Sequence, residues 1–458
     1  MRCIRIQIRE IMRVLLYTIM LLTSSCIFAQ QGTPANNSNG NNNNISVPTM
    51  ETVEEVEMDT TAEQSITPAS ARSSEKLERK EIQSKEIQTQ GKSKATKKVE
   101  AEQEMAPVED MKIEGLKDAQ DKLDDAMPAP PSPPAPSIAK AAEMKNVSTG
   151  FSTTNLDSDM QRSSRSPSLQ QQVQMDQAVN YFQENAPSSF EYHYFKYVAG
   201  NYNVDLYTDL QAAAQVRPDN ADVHVQLAGY FMINNQVDTA LIYVDKLLES
   251  DRLTDNVVAY SGDILRSVQE NGTLITHGFD DGFGSYYALN QQGIRSDVTL
   301  VSLDFLQSEA YRADLKTKGY KLPTTNTVDV NYLANFCALN VDKNLSVSLT
   351  TPKEYFQTIQ DKLFVVGLVF EYHSDGFDNF TRNEYLWNES LEKSVISNPM
   401  DEKGKQLSAN YLPMLLHLRK VYQVTGEKSK LKEVDEVSDQ IGVQSRKYEQ
   451  VQKVKASY

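Results

Sequence analysis

The chain has 458 residues, 46 Lys and Arg against 62 Asp and Glu for a formal net charge of -16, and a mean hydropathy of -0.51. That acidity supplies no concentrated basic face for a phosphate backbone, so nucleic acid is excluded as a partner. Three cysteines, Cys3, Cys26 and Cys337, cannot build a disulfide framework or a cysteine zinc site; CxxC, HExxH, P-loop and GxGxxG patterns are absent, so no cofactor and no metal is expected.

In chain order, Arg2, Arg5, Arg9 and Arg13 precede the apolar run Val14 to Leu22. A basic start with so short an apolar core fits a secretory signal and falls short of the ~20 residues of a membrane-spanning helix. Ala29 supplies a small residue at the cleavage point before Gln30, so residues 1–29 are read as a signal peptide, with Met12 as an alternative start. The ending Ile27-Phe28-Ala29-Gln30 resembles the secretory signals of Bacteroidetes. Export to the periplasm is expected. The alternative is an outer-membrane or inner-membrane lipoprotein attached through Cys26, although Thr23 stands where lipoprotein signals carry Leu. No later stretch reaches ~18 apolar residues, so no further span is expected.

Residues 30–166 read as a disordered low-complexity linker. Asn36 to Asn44 is all Asn, Ser and Gly, Glu51 to Asp124 has no aromatic residue, and Pro128 to Pro136 is proline-rich. So little apolar material cannot offset the entropy of ordering the backbone. A flexible chain of this length spans on the order of 60 to 70 Å.

Folding is predicted from about Leu169, with residues 167–254 as helical repeats. In a 34-residue tetratricopeptide frame starting at Ala221, the packing positions are Leu227, Ala228, Phe231 and Ala240, with Val244 at the usually aromatic position and Pro218 in the preceding turn. Small residues let two helices approach and bulky ones fill the space beside them. Tyr192, Tyr194, Phe195, Tyr197, Tyr202 and Tyr207 form an aromatic patch suited to the repeat core or to a peptide-binding face.

Residues 255–380 read as an α/β module. A helix from Val257 to Val268 leads to a strand Thr273 to Thr276 and a glycine-rich turn from His277 to Gly284. Next come a helix Phe283 to Gln292, a strand Val298 to Leu303, a helix Ser308 to Lys318, a strand Leu345 to Leu349, a helix from Pro352 to about Lys362 and a strand Val365 to Tyr372. Helices of this length between strands predict a small, mostly parallel sheet. Residues 381–458 return to helical spacing, giving two to four C-terminal helices. The expected fold is therefore α+β or α/β: tetratricopeptide-like hairpins packed on a small, mostly parallel layer.

Gly278-Phe279-Asp280-Asp281-Gly282-Phe283-Gly284-Ser285-Tyr286-Tyr287, followed by Gly293-Ile294-Arg295-Ser296-Asp297-Val298, resembles the GDNDTFPLWY and GVRxDV signatures of the DUF2723-type membrane proteins of Bacteroidetes. Gly367, Leu368, Val369 and Tyr372 are similar to a later strand of that family. The likeness runs from about Tyr207 to Tyr372, the soluble C-terminal part of proteins whose first part is similar to integral-membrane glycosyltransferases. Phe279 stands where the family has Asp and Asp280 where it has Asn, and the multi-span region has no counterpart here, so glycosyl transfer is not implied.

Open α/β sheets place ligands at the carboxyl ends of their strands. The candidate ligand-binding residues are therefore His277, Gly278, Asp280, Asp281, Phe283, Tyr286, Tyr287 and Arg295, with hydrogen-bonding groups and rings that suit a sugar-like face. The competing reading makes Asp281 a helix cap, the glycines turn formers and the aromatics core. His193, His224, His373 and His417 are dispersed, Cys337 reads as a small buried hydrophobe, and no complete catalytic set is visible. The expected function is a non-catalytic envelope adaptor binding a periplasmic protein. Two alternatives stand beside it: a glycan-binding or glycan-processing accessory using the Gly278 to Tyr287 turn, and an accessory of Bacteroidetes secretion or gliding machinery.

Overall fold

A computed structural model describes residues 138–154 and 164–457; the signal segment, Cys26 and most of the low-complexity linker lie outside them. The described chain begins within the stretch expected to be disordered, with helix α1 (Ile138–Thr154). Met144, Val147 and Phe151 of α1 pack on α2 (Leu169–Asn185) and α3 (Phe190–Ala199). Spacings of three and four put those side chains on one helix face, and the Phe151 ring stacks on Phe195 at 3.9 Å. Arg165, also inside the expected linker, is fully buried, and its backbone N–H donates to the Val328 carbonyl at 2.8 Å. Folded segments therefore occur earlier than composition suggests: apolar anchors hold Ile138–Thr154, and a buried cation holds the chain at Arg165.

Caps set the helix starts: Ser168 forms a capping box with Gln171 on α2, and Ser189 caps α3. After α4 (Tyr207–Val216), α5 (Ala221–Ile233) and α6 (Val237–Glu249) form a helical hairpin. Ala228, Ala240 and Val244 are fully buried there, with Leu227 and Phe231 beside them. Tyr243, one place before the usual aromatic position, stacks on Phe231 at 5.6 Å.

Helix α7 (Asp255–Ser267) leads to β1 (Thr273–Thr276), α8 (Gly278–Asn290) and β2 (Thr299–Ser302). Then follow α9 (Glu309–Thr317), α10 (Val330–Leu339), β3 (Leu345–Ser348), β4 (Leu363–Val366) and β5 (Val369–Tyr372). The five-stranded sheet has the order β2-β1-β3-β5-β4. β1 is parallel to β2 and β3, whereas β5 is antiparallel to β3 and β4, so the sheet is mixed and the expected mostly parallel layer is corrected. The difference lies in the predicted strand Val365 to Tyr372, which is a hairpin: Val366 pairs with Val369 across Gly367 and Leu368. Gly367 has φ +56 and Leu368 does not have positive φ, the pattern of a two-residue hairpin with glycine first. The helix expected from Pro352 is two short 3-10 turns, Lys353–Phe356 and Gln360–Lys362.

Seven-tenths of the C-terminal region is helical, ending in α11 (Leu412–Thr425), α12 (Lys428–Gln444) and α13 (Tyr448–Ala456) after shorter turns.

 The buried Asp263 carboxylate of α7 ties this region in: it accepts from the backbone N–H groups of Glu392 and Lys393, each at 2.8 Å, and from the Tyr411 hydroxyl at 2.6 Å. One hydrophobic core runs from Phe190 through the helical hairpins and the sheet to Val454, so the hairpin, sheet and C-terminal segments share one core. Among the described residues no helix is long and apolar enough to cross a membrane.

Candidate functional site

The expected glycine-rich turn is helical. Only Gly278 has positive φ, +75, where the chain passes from β1 directly into α8; Gly282 and Gly284 do not. A side chain on Gly284 would collide with Ser261 of α7, so this glycine permits close packing of the two helices. The consequence for the site is geometric. Successive residues of a helix point about 100° apart, so side chains that would converge in a turn diverge here.

Phe279 and Phe283, four residues apart, face the helical hairpins, with their rings 4.7 Å apart. Asp280 faces the C-terminal region, where the Lys403 ammonium lies 2.8 Å away. Asp281 faces the end of β3 and accepts a hydrogen bond from the Thr350 hydroxyl. Burial pushes the Asp281 carboxyl up to about 6, against the lowering effect of hydrogen bonds from Ser348 and Thr350. Tyr286 and Tyr287 feel Asp238 and Asp245 of α6, and burial first, then that negative charge, raises both phenols, Tyr286 to about 12.

Arg295 lies away from these groups. Its guanidinium donates to the carbonyls of Leu265, Val268 and Gln269 at the end of α7, at 3.3, 2.7 and 2.9 Å, and holds the Asp297 carboxyl well below the usual carboxylate range. It acts as a helix C-cap. His277 is buried before α8, with its Nε2 3.5 Å from the Arg165 guanidinium.

That arginine and its partner Asp304 were outside the sequence reading. Asp304 follows β2 at the same edge of the sheet, forms an ion pair with Arg165, and accepts from the Gly278 N–H at 2.7 Å. The group is nearly fully buried. Asp304, as the first charge after a predicted buried strand, carried a usable signal; Arg165, in a serine-rich run, carried none.

Above this edge lies a cleft of about 160 Å³ between the helical hairpins and the sheet. Gly278, Phe279, Phe283, Asp304 and Phe305 line one side; Tyr194, Phe195, Tyr202 and Gln226 line the other, with Phe151 of α1 and Arg252. Of the candidate residues, Gly278 and Phe283 reach the cleft, whereas Asp280, Asp281, Tyr286, Tyr287 and Arg295 do not line it. The aromatic patch is divided: Tyr194, Phe195 and Tyr202 line the cleft, Tyr197 is fully buried, and Tyr207 stacks on Tyr230 at 4.1 Å.

The other histidines have local roles. His193 lies 3.1 Å from Asp209, His224 contacts the Pro218 carbonyl at 2.7 Å, and His373 lies 3.1 Å from Glu371. Burial pushes the His417 imidazole down to about 4. Burial also pushes the Cys337 thiol up to about 12. Among the described residues no group of three or more His, Cys, Asp or Glu is placed to hold a metal ion. No family model, curated protein or solved structure matches the chain.

Proposed function

We propose that the chain is a non-catalytic protein-binding adaptor of the cell envelope, exported through its N-terminal segment, with tetratricopeptide-like hairpins and a sheet module akin to the soluble part of the DUF2723-type proteins. One observation carries the reading. The carboxylates at the sheet edge are engaged internally, whereas the cleft beside the hairpins is lined by Gln226 and Arg252, whose side chains make no hydrogen bond among the described residues, next to an aromatic wall. Groups already held by internal partners are suited to shaping a surface; donors still open suit binding.

The cleft favours a protein ligand over a glycan. Pockets that enclose a small molecule run to about 300 to 1,000 Å³, and this one is about 160 Å³. The face of Phe279 that a sugar would need is covered by the Arg252 guanidinium, 4.4 Å from the ring centroid.

A photo-crosslinking residue at Asp222, an exposed cleft-lining position, tests this in the cell that makes the protein. The expected result is a discrete polypeptide adduct that is absent when the probe replaces exposed Tyr385. Identical adducts from both positions, or glycan adducts alone, overturn the reading.

A further inference from the structure

We infer that the cleft is a socket for one carboxylate-bearing residue of a peptide, an inference that rests on the adaptor reading and gives its ligand chemistry. Arg252 takes the carboxylate, Gln226 takes the adjoining peptide group, and the aromatic wall takes the apolar part of the residue.

Gln226 carries the argument furthest. It is 4% exposed and lines the cleft, and its side-chain amide has no hydrogen-bond partner among the described residues. Its amide atoms are not sealed from solvent and open on the cleft, where a ligand can reach them. An amide both donates and accepts, and so complements a backbone peptide group, which does the same.

Arg252 is held by stacking on Phe279 at 4.4 Å, and its nearest carboxylate, Asp222, is 4.0 Å away at the outer limit of an ion pair. The contact with the ring holds the guanidinium at the cleft, and no hydrogen bond engages its N–H groups among the described residues, so they can take a carboxylate by two parallel hydrogen bonds.

Size sets the limit on the guest. A cavity of about 150 Å³ accommodates benzene, so about 160 Å³ accommodates one side chain or chain end. Phe283 and Phe305, nearly buried at the back of the cleft, supply the apolar surface for it.

The test titrates the full chain, by ligand-observed NMR, with three short peptides: acetyl-Ala-Phe as the free acid, the same peptide as its C-terminal amide, and acetyl-Asp-Phe amide, whose only carboxylate is a side chain. At least one carboxylate peptide is expected to bind about tenfold tighter than acetyl-Ala-Phe amide, a difference of about 1.4 kcal/mol. Preference for the free acid identifies a chain terminus as the source, and preference for the Asp peptide identifies an acidic side chain.

Arg252→Met is expected to abolish the carboxylate preference, and Gln226→Leu to weaken all three peptides severalfold. Arg252→Lys, which keeps the charge and loses the planar fork, serves as the second variant if Arg252→Met fails to fold, and is expected to reduce the preference. Equal binding of the three peptides, no binding at millimolar concentration, or a preference that survives both Arg252 variants overturns the inference. If the Asp222 crosslink persists when the peptides fail, the adaptor reading stands and the carboxylate socket does not.

Discussion

The C-terminal edge of the sheet and the cleft above it are built from neighbouring residues and differ in how their polar groups are used. At the edge, Asp304 meets Arg165 and the Gly278 N–H, Asp281 meets Thr350, and Asp280 meets Lys403. In the cleft, Gln226 has no side-chain partner among the described residues and Arg252 has a marginal one. Asp304 belongs to both, lining the cleft while its carboxylate is engaged at the edge, so the two regions differ in how many of their polar side chains are held internally.

The largest effect is expected from Asp304→Ala. It leaves the fully buried Arg165 charge and the Gly278 N–H without this acceptor, and breaking such a buried pair costs about 3 to 5 kcal/mol. Denaturant unfolding measures it, and a loss below about 1 kcal/mol would show that the edge is not held by this pair.

Asp281 distinguishes the two regions through pH. Its folded pKa is raised from 3.8 to about 6, so its contribution to stability is fully present below pH ~4 and is lost as the pH rises through about 6. At 1.36 kcal/mol per pKa unit, the swing is on the order of 3 kcal/mol. The stability of Asp281→Asn relative to wild type is expected to improve by that order between pH 4 and pH 7.5; a difference that stays constant across this range refutes the assignment.

Cleft substitutions sharpen the contrast from the other side. Arg252→Ala removes one cation–π contact at a partly exposed site, so a loss of about 0.5 to 1 kcal/mol is expected in thermal unfolding. Gln226→Leu should leave stability within about 1 kcal/mol of wild type, because the side-chain amide it removes opens on the cleft and has no hydrogen-bond partner among the described residues. A loss near that of Asp304→Ala would place Gln226 among the structural groups.

The sequence made the elements legible where periodicity and punctuation agree. The pairing of Leu227, Ala228, Phe231 and Ala240 in a helical hairpin follows from alternating small and bulky residues, and the β1 and β2 segments follow from short apolar runs. Three features were hidden for physical reasons. Gly367 reads as one residue inside a continuous apolar strand, and only its positive φ divides that strand into a hairpin. The segment from His277 to Gly284 has the composition of a turn, yet packing against α7 makes it helical and separates Asp280 from Asp281. Arg165 and Phe151 sit in polar surroundings whose composition argues against order, and each is fixed by contacts distant in sequence.

Arg165 also has a mechanical consequence. Immediately beside it, Ser164 bridges Asp329 and Ser166 receives the Val328 N–H at 2.9 Å, so the chain is clamped where it enters the sheet edge. Once α1 has been pulled from α2 and α3, tension from the N-terminal side would load this clamp, the Arg165–Asp304 pair and the neighbouring backbone bonds together, before it pulled on α2 along the chain. In a single-molecule pulling experiment from the N-terminal side, Arg165→Met is therefore expected to lower the force of the event that follows detachment of α1, whereas Gln226→Leu leaves it unchanged.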